Sequence, residues 1–314
     1  MVAELIALYN DIDTAKLRIA RPSKFVFLCG GTIKKDNGKG ADSLRDYLYR
    51  VRSLRRRLQG EIVLAETANQ LYRDTKYSDL ITFEEDIARI SAVVLVIAES
   101  PGSLAELGAF ASNDVIRKAL RIIIQQAHWG RESFIRFGPV QRIHNDNAAY
   151  VGVYPWRVNK TGAIVLRSIR AHCYEIIKFL NRHLSAAPKT EQFPASRDVR
   201  IFYIIYWIIY LSLAISPLLL YQIVQILIPD ATDKEVRNKV FCMQLAGWIG
   251  LERYSERDYF YCLHDKDPFL YAFNIGMTER DTARRKMAVS AALIKAENPP
   301  RHVKAVASSR RMPA

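Results

Sequence analysis

At roughly 150 residues per domain, a chain of 314 residues is long enough for two domains with a core each. Half of its residues are hydrophobic and a quarter are charged, which excludes a disordered chain and a small disulfide-stabilised protein. The 46 Lys and Arg exceed the 32 Asp and Glu by 14, so the charge favours a polyanionic partner such as nucleic acid, with generic solubility as the alternative.

The N-terminal residues and the cysteines favour a cytoplasmic protein. Residues 1–22 predict an N-terminal helix, and acidic side chains interrupt the apolar ones there, which is unlike a secretory signal. Four scattered cysteines without a C-x-x-C pair predict neither a disulfide framework nor a metal site.

Residues 23–187 are predicted to form one α/β domain. Short apolar, mostly β-branched runs alternate with helical patterns, which indicates strands buried on both faces. The alternation predicts a doubly wound parallel sheet of Rossmann-like or flavodoxin-like type. The predicted strands are 24–28, 61–65, 92–98 and 121–124, and the predicted helices are 43–58, 82–90, 103–118 and 164–184.

A membrane span is the alternative interpretation of residues 201–228, which carry no charge over 28 positions. Ser216 and Pro217 interrupt this run with an N-cap residue and a first-turn proline, so we expect two buried helices. Gln222 and Gln225 also argue against lipid, and no membrane association is predicted.

The C-terminal part is predicted to be a linker, 188–198, a winged-helix domain, 199–275, and a basic tail, 276–314. Two helices precede a third that opens on a Thr232-x-x-Glu235 capping box, and a β-hairpin follows. The third helix of this fold often enters the DNA major groove, whereas some winged helices bind only protein. The predicted nucleic-acid-binding residues are Lys234, Arg237, Asn238 and Lys239 on that helix and Arg253 and Arg257 on the wing.

The chemistry of a parallel sheet is expected where its strands end, because ligands bind at that edge. One strand runs into Cys29, Gly30 and Gly31, and another turns through Ser100, Pro101, Gly102 and Ser103 into a helix that carries Glu106. Ser103-x-x-Glu106 is also a capping box, which gives Glu106 a structural alternative. As a nucleophile, Glu106 would attack C1′ of a ribose. Glu85 and Asp86 are candidates for orienting the sugar or transferring a proton, or they only satisfy a helix dipole.

The segments FLCGG and ESPGSLAELGAF make the first domain similar to the nucleoside 2-deoxyribosyltransferase-like family. With ESPGSLAELGAFASN, SFIRFGPV and the winged-helix pattern, the chain resembles more specifically the toxin effectors of type II retrons. The resemblance implies an effector in abortive anti-phage defence. Its implied partners are the retron reverse transcriptase with its msDNA and ncRNA, in a homo-oligomer or a higher assembly.

The resemblance also implies the site and the reaction. Glu106 would be the nucleophile, and Ser100 stands where the deoxyribosyltransferases have an aspartate. NAD+ would be the substrate, hydrolysed to nicotinamide and ADP-ribose without a cofactor. The alternatives are a (deoxy)nucleotide N-glycosidase or deoxyribosyltransferase, and a nucleotide-sensing winged-helix transcriptional regulator. The implied substrate-binding residues are Cys29, Gly30, Gly31, Ser100, Gly102 and Ser103.

Overall fold

The chain divides into two compact units, each built from segments that are separate in sequence. In a computed structural model that describes residues 3–34, 40–64 and 77–313, the sheet unit comprises Lys24–Leu71 and Ile87–Ala187. The helical unit comprises Met1–Ser23, Tyr72–Asp86 and Pro188–Ala314. Met1–Ser23 corresponds to the predicted N-terminal helix, and Pro188–Ala314 corresponds to the predicted linker, winged-helix domain and tail. Tyr72–Asp86 lies within the range predicted for the α/β domain.

A parallel five-stranded sheet forms the centre of the sheet unit, which confirms the predicted α/β class. With its strands numbered along the chain, their order across the sheet is 2-1-3-4-5, the order of flavodoxin-like folds. Strand 1, Phe25–Cys29, and strand 3, Val93–Ala98, are buried at every residue, as expected for strands covered on both faces. Residue 65 of the predicted second strand lies outside the described residues. The strands are Phe25–Cys29, Glu61–Leu64, Val93–Ala98, Leu120–Gln125 and Val151–Tyr154.

Of the four helices predicted within residues 23–187, two are interrupted and one begins late, whereas Leu80–Ile90 begins two residues earlier than predicted. Val51 is extended and separates two short helices, and the side chain of Asn113 caps a new helix by accepting the N–H groups of Val115 and Ile116. Two 3-10 turns occupy the start of the predicted helix 164–184, which begins only at Cys173. The helices are Leu44–Arg50, Arg52–Arg55, Leu80–Ile90, Pro101–Ser112, Asp114–Arg117, Gln126–Trp129, Gln141–Asp146 and Cys173–Ala186, with a π-helical turn at Arg136–Val140.

Helices dominate the helical unit. Within the described residues 3–22 of the predicted N-terminal helix, Ala3–Asn10 is helical. The chain then turns into a strand, Arg18–Ile19, that pairs with Glu191–Gln192 and Phe269–Leu270. The linker predicted at 188–198 therefore contributes a strand and the start of a helix. The helices are Ala3–Asn10, Arg197–Ser212, Pro217–Leu227, Asp233–Leu245, Glu279–Glu297 and Arg301–Arg310, and a further short pair of strands is His264–Asp265 with Met312–Pro313.

The long uncharged run forms two helices, as the Ser216–Pro217 break predicts. Leu213 has a φ of 63°, which ends the first helix, and the Ser216 hydroxyl accepts the Leu219 N–H at the start of the second. From Ile201 to its end at Ser212, the first helix is buried at nearly every position. None of the helices in the described ranges is long and apolar enough to cross a membrane.

A two-stranded hairpin, Ile249–Tyr254 with Arg257–Cys262, follows the third helix of the C-terminal series, Asp233–Leu245. Gly247 has a φ of +67°, the left-handed conformation expected after a helix end. Ser255 and Glu256 also have positive φ angles, 44° and 64°, which is the pattern of a tight two-residue hairpin turn.

The residues predicted as a basic tail fold into two helices that pack on the rest of this unit. Val289 and Val303 are buried, and Thr278 caps the first of these helices by accepting the Asp281 N–H. Arg285 pairs with Asp11 at 2.6 Å. Part of the positive charge of this region is therefore used in internal ion pairs.

Candidate active site

The helix that carries Glu106, Pro101–Ser112, begins directly after strand 3, the middle strand of the sheet. Its N-cap is Ser100, whose hydroxyl accepts the Ser103 N–H at 3.2 Å, and the Ser103 hydroxyl accepts the Ser100 N–H at 3.0 Å. Pro101 occupies the first turn, where a missing N–H costs nothing. The predicted capping box of Ser103 with Glu106 is therefore wrong. Glu106 lies in the second turn, half-buried, and the cap is complete without it.

Glu99, at the end of strand 3, is a site residue that the sequence analysis missed. Its carboxylate accepts backbone N–H groups from Gly31 at 3.0 Å, Leu44 at 2.8 Å and Arg45 at 3.0 Å. Burial raises the pKa of Glu99 above its usual range, although the three N–H donors oppose this shift. The sequence signal was its position, since Glu99 directly follows the predicted strand 92–98 at the edge where ligands were expected.

The paired glycines after strand 1 make room for protein side chains. A Cβ on Gly31 would lie 2.6 Å from the Ser43 Cβ, and one on Gly30 would lie 2.9 Å from the Arg45 Cβ. The loop is thus packed against the carboxylate of Glu99 and the start of the helix Leu44–Arg50. That Gly30 and Gly31 line a nucleotide pocket stays a prediction.

The other predicted lining residues have different surroundings. Cys29 is fully buried in the core, and Ser103 is buried and engaged in the helix cap. Gly102 is exposed, and a Cβ there would meet no atom within 4 Å. Ser100 donates to the Gly30 carbonyl at 3.2 Å and also lines a cavity.

This cavity, of about 380 Å³, lies at the carboxyl ends of strands 3 and 4, where Ala98 and Ile124 form part of its wall. Ligands of doubly wound sheets bind at this edge, and the volume falls in the range of small-molecule sites. The segment after strand 4 covers it with Ser133 and Ile135, which belong to the SFIRFGPV sequence. Glu106 is not one of the lining residues. Leu104 lines the cavity. Because side chains two positions apart on a helix point about 200° apart, Glu106 points in a nearly opposite direction to Leu104.

The chain also matches a known protein family. The model of the STM3845 retron effector protein family matches residues 41–251, about two thirds of the chain, including strand 3 and the Glu106 helix. The chain belongs to this family. The predicted resemblance to retron effectors is confirmed at this level.

Two Escherichia coli proteins are similar to part of this retron effector. Both are described as candidate ribosyltransferase/DNA-binding proteins, one of retron Ec73 and one of retron Ec86. The first is 30% identical over 123 residues, 38% of each chain, and the second is 30% identical over 128 residues, 40% of this chain and 39% of the relative. The matched part of the effector thus spans about two fifths of each relative's length.

The two carboxylates predicted to assist Glu106 belong to the helical unit of the effector, whereas Glu106 belongs to the sheet unit. Asp86 is buried and pairs with the Lys239 ammonium at 2.5 Å. The Tyr77 hydroxyl donates to the other carboxylate oxygen of Asp86 at 2.7 Å. Asp86 therefore holds a buried ion pair, which corrects its predicted role in sugar orientation or proton transfer. Glu85 precedes it on the helix Leu80–Ile90 and is half-buried.

The residues predicted to bind nucleic acid fall into two groups. Asn238 and Lys239 are buried, 7% and 4% exposed, because they lie on the side of the third helix that packs into the core. This corrects their assignment to an exposed basic face. Lys234 is exposed, and Arg237 is exposed but paired with Asp233 at 2.6 Å.

On the hairpin, Arg253 donates twice to Asp258, at 2.6 and 2.9 Å, which neutralises much of its charge. Arg257, at the start of the second hairpin strand, is exposed. Together with Arg237 and Tyr221 it lines a cavity of about 450 Å³ between the helices and the hairpin. Arg237 and Arg257 thus share one surface of the helical unit.

Proposed function

We propose that this retron effector is an anti-phage toxin that hydrolyses the N-glycosidic bond of NAD+, with Glu106 as the nucleophile. The observation that carries the proposal is the position of Glu106 in the second turn of the helix after the middle strand. A complete Ser100–Ser103 cap holds that helix start, and Glu106 is not part of the cap. The description of the two relatives as candidate ribosyltransferases agrees with this class of reaction.

In the proposed reaction, a Glu106 carboxylate oxygen attacks C1′ of the nicotinamide ribose. The C1′–N bond breaks, and its electron pair leaves with nicotinamide and neutralises the pyridinium charge. Water then attacks C1′ of the ribosyl ester, which releases ADP-ribose and one proton and restores the carboxylate. The loss of NAD+ would stop the metabolism of an infected cell and thereby the replication of the phage.

The helical unit is the proposed contact with the rest of the retron. Three helices followed by a two-stranded hairpin agree with a winged-helix domain. Lys234, Arg237 and Arg257 are exposed, and the chain carries a net charge of +14. Binding to the reverse transcriptase and its msDNA would restrain the toxin in the cytoplasm or assemble its active form.

A direct test is the release of free base by the purified full-length effector, with and without its retron partners. NAD+ and the deoxynucleoside monophosphates are offered separately, and products are separated by chromatography. We expect nicotinamide and ADP-ribose from NAD+, and neither from the Glu106→Gln variant. Glu175→Gln, which changes an exposed glutamate of the same unit, is the control. Release of bases from deoxynucleotides alone would replace NAD+ hydrolysis by deoxynucleotide cleavage.

A further inference from the structure

Exposed arginines are concentrated in the segment between the first helix of the sheet unit and strand 2. Arg52–Arg55 is a short helix, and two further arginines follow it directly. Arg50, just before this segment, pairs with Asp46 at 3.6 Å. The arginines of the segment itself are all exposed, and none of them makes an ion pair with a residue that the structure describes. They are Arg52, Arg55, Arg56 and Arg57.

The helix Cys173–Ala186 adds a fifth cation to these arginines. Its Tyr174 is 48% exposed, and the centre of the tyrosine ring lies 5.2 Å from the Arg57 guanidinium and 4.8 Å from the Lys178 ammonium. The Asn181 amide donates to the Arg57 carbonyl at 2.8 Å, which holds the arginine segment against this helix. The four arginines and Lys178 therefore share one surface of the sheet unit, called the arginine patch below.

Two exposed carboxylates adjoin the arginine patch in sequence without neutralising it. Glu175 follows Tyr174, and its carboxylate lies 3.1 Å from a ring nitrogen of His172 rather than at an arginine of the patch. Glu61 begins strand 2, just after the arginine segment. Even when both carboxylates are counted against the five cations, the patch keeps a clear excess of positive charge.

The fold itself gains little from this accumulation of charge. The Arg56 N–H donates to the Arg52 carbonyl at 2.9 Å, so these two arginines are one helical turn apart. Like charges at this spacing repel and destabilise a helix. Repulsion of this kind is relieved when an anion from outside the chain binds between the arginines.

The helical unit offers fewer unpaired cations than the arginine patch. Arg237 and Arg253 pair with aspartates, and Lys239 is buried. Of the residues predicted from the sequence to bind nucleic acid, Lys234 and Arg257 are exposed and make no ion pair within the described ranges. More unpaired positive charge thus lies in the arginine patch than on that predicted face.

We infer that the arginine patch of the sheet unit binds the phosphate backbone of nucleic acid. A guanidinium presents its N–H donors in a planar fork that fits phosphate oxygens, and a nucleic-acid strand offers a phosphate to each of several neighbouring arginines. An anionic lipid surface fits less well, because surface-bound proteins also insert apolar side chains. Among the large hydrophobic residues exposed in the described ranges, Tyr174 is the one that belongs to the patch. The inference goes beyond the proposed function, since it does not depend on NAD+ hydrolysis or on the helical unit.

The test measures the binding of a fluorescein-labelled single-stranded DNA oligonucleotide to the full-length effector by fluorescence anisotropy at several salt concentrations. The double variant Arg52→Gln with Arg56→Gln should bind about tenfold more weakly or worse, because two charged phosphate contacts are lost. The slope of log affinity against log salt concentration should become shallower by about 0.7 for each lost contact. Thermal unfolding of the variant should match that of the natural chain, because both side chains are exposed.

The control is Lys118→Gln with Arg142→Gln, which removes the same charge from two other exposed positions of the sheet unit. It should keep the affinity within about twofold and leave the salt slope unchanged. If the Arg52 and Arg56 variant binds the oligonucleotide as well as this control does, the inference is wrong. If that variant loses binding only to phosphatidylserine vesicles, the patch is a membrane contact and the inference is equally wrong.

Lys234→Gln with Arg257→Gln tests the contact proposed for the helical unit separately. Weaker binding of the oligonucleotide by this variant alone would refute the arginine patch and support the helical unit. Weaker binding by the Arg52 and Arg56 variant alone would support the patch and remove the contact proposed for the helical unit. If the natural chain binds no oligonucleotide, the inference fails.

Discussion

Glu99 accepts the backbone N–H of Gly31 at 3.0 Å, although the two residues are 68 positions apart in sequence. This hydrogen bond joins the ends of two neighbouring strands, 1 and 3. In doubly wound sheets of this strand order, the gap between these two strand ends is the usual position of a ligand. In this retron effector a carboxylate of the chain itself satisfies the backbone N–H groups there. The open cavity lies beside it, at the ends of strands 3 and 4.

Glu99 should therefore stabilise the sheet unit. Glu99→Ala removes the acceptor of three N–H groups, and buried donors without a partner are costly. We expect the free energy of unfolding in urea to fall by about 3 kcal/mol. Glu175→Ala, at an exposed glutamate, should change it by less than about 0.5 kcal/mol. Equal effects of the two substitutions would show that Glu99 does not hold the loop.

The close packing of Gly31 predicts a steric effect. Gly31→Ala would place a Cβ 2.6 Å from the Ser43 Cβ, so we expect a loss of about 1–3 kcal/mol in unfolding free energy. Gly102→Ala is the matched control, because it lies in the first turn of a helix with no atom within 4 Å of the new Cβ. It should be neutral or stabilising by up to about 1 kcal/mol. A stable Gly31→Ala protein with weakened substrate binding would instead support the predicted ligand contact.

The buried pair of Asp86 and Lys239 should be essential for the helical unit. Lys239→Met leaves the Asp86 charge buried without its cation, and breaking such pairs costs about 3–5 kcal/mol. The double variant Asp86→Leu with Lys239→Met should cost less than the sum of the two single changes. The stabilities of the two single variants and of the double variant are measured by thermal unfolding.

Arg237→Met is the control for this prediction, since it breaks an exposed ion pair on the same helix. Its expected effect is below about 1 kcal/mol. If Lys239→Met is equally mild, the buried pair does not stabilise the unit. If Asp86→Asn folds normally and only the reaction is lost, the catalytic role predicted from the sequence is restored.

His183 predicts an acid sensitivity of the sheet unit. Burial, together with the nearby Arg121, lowers the pKa of His183 to about 4, and its Nε2–H donates to the Ala149 carbonyl. On acidification, His183 is protonated near pH 6.5 in the unfolded chain but only near pH 4 in the folded protein. The free energy of unfolding is therefore unaffected by this group above pH 6.5 and falls as the pH drops toward 4. We expect a loss of up to about 3 kcal/mol between pH 7 and 4 from this group.

Urea unfolding of the natural chain and His183→Gln at several pH values measures this contribution. Glutamine keeps an N–H donor but takes up no proton, so its unfolding free energy should fall less on acidification. Parallel curves for the two proteins between pH 7 and 4 would contradict the prediction.

Four of the five strands of the sheet were predicted from the sequence, because their signal is local, whereas the strand Val151–Tyr154 was not predicted. Residues 92–98 form a continuous apolar run that is mostly β-branched, which is typical of a strand covered on both faces, and the structure contains the strand Val93–Ala98. The break at Ser216–Pro217 was predictable for the same reason, since an N-cap serine and a first-turn proline are adjacent in the chain.

Other features were not predictable because they depend on packing between distant residues. Serine is a preferred N-cap residue type, so the sequence allows either Ser100 or Ser103 as the N-cap, and only the folded chain shows that Ser100 is the cap. Asp86 and Lys239 are 153 residues apart, so no local pattern indicates their pairing. The carboxylate of Glu99 reaches N–H groups of Gly31, Leu44 and Arg45, and its role appears only when strands 1 and 3 are placed side by side.

The most direct test of the account is the NAD+ content of cells that express the effector with its retron partners and are then infected by phage. The natural chain, Glu106→Gln and the control Glu175→Gln are compared at equal protein levels. We expect NAD+ to fall and ADP-ribose to rise with the natural chain and the control, and both to stay unchanged with Glu106→Gln. Loss of NAD+ that persists with Glu106→Gln, or phage defence by the natural chain without any change in NAD+, would contradict it.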